Sequence, residues 1–264
     1  MLVAAVAAVA LFSTSCEKLR ARDQLNKGVQ AYKNAQYPQA VECFKTAVDL
    51  DPNFPTARLY LATAYMSQYI PGADSPENMQ MAKAAYDQFA KVLEQDNKNT
   101  VATASIASLL FNQKKLDDAA TWYKKLIQLD PKNKEAYYTL GVVAWTKTFK
   151  PRMEARAKMS MKPEDPGPLK DKKVRAELAA QNMPVITEGI KDLDEALKID
   201  PEYDDAMAYM NLLYREKADL EDSTEAYKKD TETADGWVQK ALQTKKIKQE
   251  RKPASGGITA EPAK

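Results

Sequence analysis

Catalysis near neutral pH needs a group that exchanges protons or electrons there, and this chain offers few. It has no histidine among its 264 residues. That removes the commonest general base and the commonest metal ligand, and with them Ser-His-Asp, Cys-His and His-rich zinc chemistry. Three carboxylates, Asp192, Asp194 and Glu195, come nearest to a catalytic cluster. With no histidine beside them and with helical spacing on an exposed face, they read as solvated charge rather than an acid–base pair. The two cysteines, Cys16 and Cys43, lack a Cys-x-x-Cys spacing. Gly256-Gly257, the only glycine pair, stands near the C-terminus and builds no phosphate-cradling loop. The sequence therefore predicts no catalytic residue, no metal and no cofactor, and turns attention to binding.

Elements that position binding residues are visible in the composition. Hydrophobic residues make up 44% and charged residues 29%, while glycine occurs only 8 times. That balance favours helices with one buried face over sheets joined by tight turns. The formal net charge is only +2, so nothing draws the whole chain toward nucleic acid or a membrane.

Helical periodicity carries a recurring signature. Gly28, Tyr32, Ala40, Phe44, Ala47 and Pro52 fall at the spacings of a tetratricopeptide repeat (TPR), a 34-residue helix pair with the pattern W-x2-L-G-x2-Y, A-x3-F and P. The chain resembles that family through five helix pairs, at about 21–54, 55–99, 100–133, 134–203 and 204–244. What the resemblance implies is an all-α, right-handed superhelical solenoid. The second helices of repeats two, four and five arrive late, so each of these repeats holds an insertion. The largest, residues 147–183, has ten basic and five acidic residues, a net of +5, and a proline-broken middle at 162–168. Short helices are expected over 151–161 and 169–181, and a disordered basic tail over 245–264.

Residues 1–12 are almost wholly apolar and run into Ser13-Thr14-Ser15-Cys16. About 11 apolar residues suit a signal-peptide core, whereas a spanning helix needs roughly 20. Small residues before a cysteine resemble the bacterial lipobox. That resemblance implies cleavage after residue 15, lipidation of Cys16, and an exported protein facing the periplasm, anchored in the outer rather than the inner membrane. An ordinarily cleaved secreted protein and an uncleaved segment remain open. Cys43 reads as a small half-buried hydrophobe.

In the TPR family the first helix of each pair lines a concave face. Carrying that rule over places Leu25, Val29, Tyr32, Leu59, Met66, Phe111, Tyr138, Val142, Trp145 and Leu212 there, an apolar trough suited to a partner's amphipathic helix or extended apolar segment. The insertion supplies a second candidate, a basic docking surface of Arg152, Arg156, Lys158, Lys170, Lys172, Lys173 and Arg175. The function expected is a membrane-anchored, non-catalytic protein–protein scaffold of the cell envelope. The alternatives are a structural homo-oligomer and, remotely, a carboxylate enzyme.

Overall fold

A computed structural model describes residues 2–162 and 165–251, with side chains from residue 16 onward. Among the described residues every regular element is an α-helix. The chain forms two compact units, residues 1–130 and 131–264.

The first unit holds α1 (Leu2–Lys33), α2 (Tyr37–Leu50), α3 (Pro55–Gln68), α4 (Pro76–Gln95), α5 (Thr100–Asn112) and α6 (Leu116–Leu129). Each helix packs on its neighbour in sequence. Proline opens α2, α3 and α4, where its missing N–H and fixed φ cost nothing. Ser75 and Asn99 cap α4 and α5, accepting from the N–H groups of Asn78 and Ala102. The turn from first to second helix repeats its chemistry: Ala35 and Lys114 adopt left-handed φ of 57° and 60°. The next N–H then donates back to the carbonyl five residues earlier, Gln36 to Ala31 and Lys115 to Leu110.

Small residues set how closely each pair packs. A methyl group on Gly28 would stand 2.5 Å from the ring of Phe44, a side chain with no exposed surface. Ala40, Ala47, Ala85 and Ala119 are likewise fully buried. Gly28, Ala40, Phe44 and Ala47 of the signature are therefore core, whereas Tyr32 is half-buried and Pro52 is exposed.

The delay in repeat two resolves into a loop over residues 69–75 and a longer α4. Asn78, 7% exposed, fastens that loop. Its Oδ1 accepts from the Ile70 N–H at 2.7 Å, and its Nδ2 donates to the Ile70 and Ala73 carbonyls at 2.8 and 2.7 Å. Asn78→Ala removes the three hydrogen bonds that this buried amide makes to the loop and is expected to cost about 2–3 kcal/mol. Limited proteolysis should show faster cleavage within 69–75.

The second unit holds α7 (Lys134–Lys158), α8 (Lys172–Ile199), α9 (Asp204–Ala218) and α10 (Thr224–Arg251). Here the sequence expectation is corrected. Residues 147–183 are not a loop with separate short helices. They prolong α7 through Pro151 and α8 through Pro184, and only residues 159–171 connect the two. Ser160 repeats the left-handed turn at φ 54°, with Met161 N–H bonding the Arg156 carbonyl at 2.9 Å. The familiar first-to-second-helix turn survives here, carried outward on longer helices.

The tail is corrected in part. Residues 245–251 belong to α10, where Lys248 pairs with Asp204 at 2.5 Å and Arg251 with Glu202 at 2.7 Å; residues 252–264 lie outside the described set. The last second helix starts at Thr224, filling the stretch expected to delay it.

Candidate functional site

In the first unit the trough residues occupy a half-buried band. Leu25, Val29, Tyr32, Leu59, Met66 and Phe111 are each partly exposed. Leu25, Val29 and Tyr32 pack against the core of Phe44, Val41 and Leu61. Tyr32 and Ser67 hydroxyls bond at 2.8 Å, which ties α1 to α3 across the band. The ammonium of Lys114 sits 6.0 Å from the ring centroid of Phe111. This surface keeps apolar side chains at the boundary between core and water.

In the second unit the trough residues build something more ordered. Tyr138 lies 5.0 Å from the ring of Tyr203 and 5.5 Å from that of Tyr209. Trp145 then meets Tyr209 at 5.7 Å and Phe149 at 4.9 Å. The four pairs form one aromatic ladder, two of them edge to face, the arrangement that ring quadrupoles favour. A cation closes each end, Lys134 over Tyr203 at 5.0 Å and the Arg152 guanidinium over Phe149 at 5.8 Å. Burial pushes the Tyr138 hydroxyl up to about 12, reinforced by Tyr209 and Asp205, so the ring stays neutral at any physiological pH. Phe149 is 37% exposed and its ladder neighbours are half-buried.

Of the other trough positions in this unit, Leu212 is half-buried, while Val142 at 8% exposure belongs to the core. Sequence reasoning missed Tyr203, Tyr209 and Phe149. Tyr209 falls one residue from the repeat position that selects Ala208, and a spacing rule cannot tell which of two adjacent residues turns toward the next helix.

The basic candidate divides. Lys158, Lys170, Lys172 and Lys173 are exposed, but Arg156 and Arg175 are buried and Arg152 is nearly so. Arg156 Nη1 donates to both oxygens of Asp219 at 2.9 Å, and its Nη2 donates to the Lys162 and Asp165 carbonyls at 2.5 and 2.7 Å. Arg152 bonds the same carboxylate at 2.8 Å and lies 2.9 Å from Glu216 Oε2. Arg175 Nη1 donates to the Leu169 carbonyl at 2.7 Å, while Leu169 N–H donates to the Asp219 carbonyl at 2.9 Å. Arg156 and Arg175 thus fasten the 159–171 connector, and Arg152 ties α7 to Glu216 and Asp219, which corrects the reading of all three as docking residues. Their carboxylate partners stand some 60 residues away, beyond the reach of local pattern.

Glu216 is 1% exposed and neither of its oxygens meets a well-aligned donor. Burial therefore raises its carboxyl to about 7, against the pull of Arg152 and with help from Asp219. A carboxyl raised on folding binds its proton more tightly in the folded state. Its contribution to stability is then complete below about pH 4.5 and is lost as pH climbs toward 7. The loss amounts to up to ~3 kcal/mol. Thermal melts across that window should show the decline, and Glu216→Gln should flatten it.

Asp194 and Glu195 both pair with Lys198, at 2.8 and 2.9 Å, as surface charges. Among the described residues no group of three or more histidine, cysteine or acidic side chains converges on a metal-sized site. Cys16 is exposed and Cys43 half-buried, and both are free thiols. Residues 2–15 of the sequence-predicted signal segment lie within α1, and their side chains, like residue 1, fall outside the described set. Among the described residues no helix is long and apolar enough to cross a membrane.

Comparison with known proteins agrees with this architecture. A family model described as TPR repeat matches residues 28–68 and 107–147. RNA polymerase II-associated protein 3 of Mus musculus is 30% identical over 111 residues, 42% of this chain. The chain spans only 15% of that relative's length. The crystal structure of MamA superposes with a TM-score of 0.60 at 16% identity, covering 90% of this chain and 98% of MamA. YrrB, described as a TPR protein with an unusual peptide-binding site, gives 0.50 at 16% identity over 84% and 90% of the two chains. Helix pairs closed by one recurrent turn, small residues at each close approach, and the matched segments converge on one conclusion: the chain carries tetratricopeptide repeats at 28–68 and 107–147 and has the fold of proteins built from them.

Proposed function

We propose that the protein is a non-catalytic scaffold that binds a partner protein on the apolar faces of its first helices. The partner contributes an amphipathic helix or an extended apolar segment. The observation that carries this reading is the aromatic ladder of Tyr203, Tyr138, Tyr209, Trp145 and Phe149. Large, rigid, half-exposed rings lose little entropy on contact and supply most of the energy of protein interfaces. The half-buried band of Tyr32, Met66 and Phe111 offers similar chemistry in the first unit.

The same proposal places the chain in the cell envelope, exported and held at the membrane by a lipid on Cys16, in support of envelope complex assembly. Support comes from the apolar leader, the small residues before Cys16 and the exposure of that thiol. Affinity capture from detergent-solubilised envelopes tests the first part. The full chain should retain a partner that the Phe111→Ala, Trp145→Ala double variant loses, and an unchanged set of captured proteins would refute the binding face. Mass spectrometry of the native N-terminus tests the second, where an unmodified Cys16 within an intact chain excludes the anchor.

A further inference from the structure

A cleft in the first unit, lined by none of the sequence-predicted trough residues, has the form of a second binding site. Its origin is the insertion in repeat two. Helix α4 has 20 residues, where α2 and α6 have 14. The surplus lies at its N-terminus, so α4 runs past the level at which a regular second helix begins. Met79, in this additional stretch, faces the turn between α5 and α6 instead of solvent alone. With Tyr86 it makes one wall, Trp122 of α6 makes the other, and Leu110 of α5 lies between them. The cleft is open to solvent and has a volume of about 620 Å³, within the size range of ligand pockets.

The charges around the cleft choose among occupants. On the α4 side Lys83 and Asp87 neutralise each other at 2.6 Å. On the α6 side the side chains of Lys115 and Asp118 have no partner among the described residues, one cation and one anion three residues apart. The rim is thus neutral in sum but unpaired on one side. A polyanion or polycation gains nothing there. A segment of low net charge gains twice, by burying apolar side chains against Met79, Leu110 and Trp122 and by setting its own acidic and basic residues against Lys115 and Asp118. A trough between two helices, floored by a third, is also the shape that receives another helix.

We propose that this cleft docks an amphipathic helix of a partner protein, with apolar residues at i, i+3 and i+4 inserted between α4 and α6 and an opposite-charge pair on its flank. The site does not depend on the aromatic ladder, and the partner is distinct from the occupant of that face.

The test is selection of a phage-displayed library of 16-residue amphipathic peptides on the full chain. Enriched peptides are expected to carry the apolar i, i+3, i+4 pattern with one acidic and one basic flank. Their affinity should fall at least tenfold on Met79→Asp, a side chain 41% exposed whose replacement leaves the core untouched. It should fall on Lys115→Glu as well, and return when the acidic residue of the peptide is changed to lysine. Circular dichroism melts of both variants should match the parent. The proposal is overturned if no peptide is enriched, if binding is indifferent to Met79→Asp and Lys115→Glu, or if enriched peptides are lost only on Trp145→Ala. It is equally overturned if sedimentation shows that the chain self-associates and Met79→Asp abolishes this, since the occupant is then a second copy.

Discussion

Arg156→Ala is expected to destabilise the second unit by about 3–5 kcal/mol, because it leaves the Asp219 carboxylate buried with half its compensation gone. One guanidinium here serves four acceptors: two carboxylate oxygens and the carbonyls of Lys162 and Asp165. Its own side chain is only 1% exposed, so water does not replace those bonds without opening the fold. Hydrogen exchange should show the 159–171 connector losing protection first, since two of its carbonyls lose their donor. Arg156→Lys retains the charge but not the planar fork, and should recover only part of the loss. If Arg156→Ala melts within about 1 kcal/mol of the parent, the cluster behaves as an exposed ion pair and its fastening role is wrong.

Gly189→Val should cost about 3 kcal/mol by overpacking, through sterics alone. Gly189 on α8 faces Gly141 and Ala144 of α7. A Cβ there would collide with the Cβ of Ala144, stand 3.0 Å from Leu213 Cδ1, and lie 3.7 Å from the Cα of Gly141. The Ala144 methyl is fixed to its backbone and has no rotamer that moves it aside, so the helices must separate. Branching at Cβ worsens this, because valine has one strongly preferred rotamer in a helix. Gly236→Ala in α10 is the control. Nothing lies within 4 Å of a Cβ at that position, and the change should stabilise by up to ~1 kcal/mol through helix propensity. Thermal denaturation of both variants should therefore shift in opposite directions.

These two sites differ in how much of them is legible in the sequence. Gly189 is a small residue at a recurring repeat position, and its role follows from pattern: two helices approach closely only where one side chain is missing. Gly28 against Phe44 obeys the same rule, which is why the repeats and their cores read correctly from spacing. The cluster of Arg152, Arg156, Glu216 and Asp219 has no such signature. Read locally, its arginines belong to a basic stretch with +5 net charge and look like solvated surface.

The amino-acid sequence by itself determined the helix pairs, the residues at their close approaches and the apolar character of the first-helix face. Those properties depend on contacts between residues a few positions apart, or at a fixed repeat period. Tertiary structure alone decided which charges sink and which remain in water. It merged the short helices expected on either side of the proline-broken middle of 147–183 into longer α7 and α8, with three arginines buried beside them, and it joined Tyr138 and Trp145 to Tyr209 in one ladder. It also opened the cleft beside the lengthened α4. The physical reason is one of range: a side chain's burial and charge pairing are set by whatever α9 or α6 brings to it across dozens of residues, and no local spacing encodes that meeting.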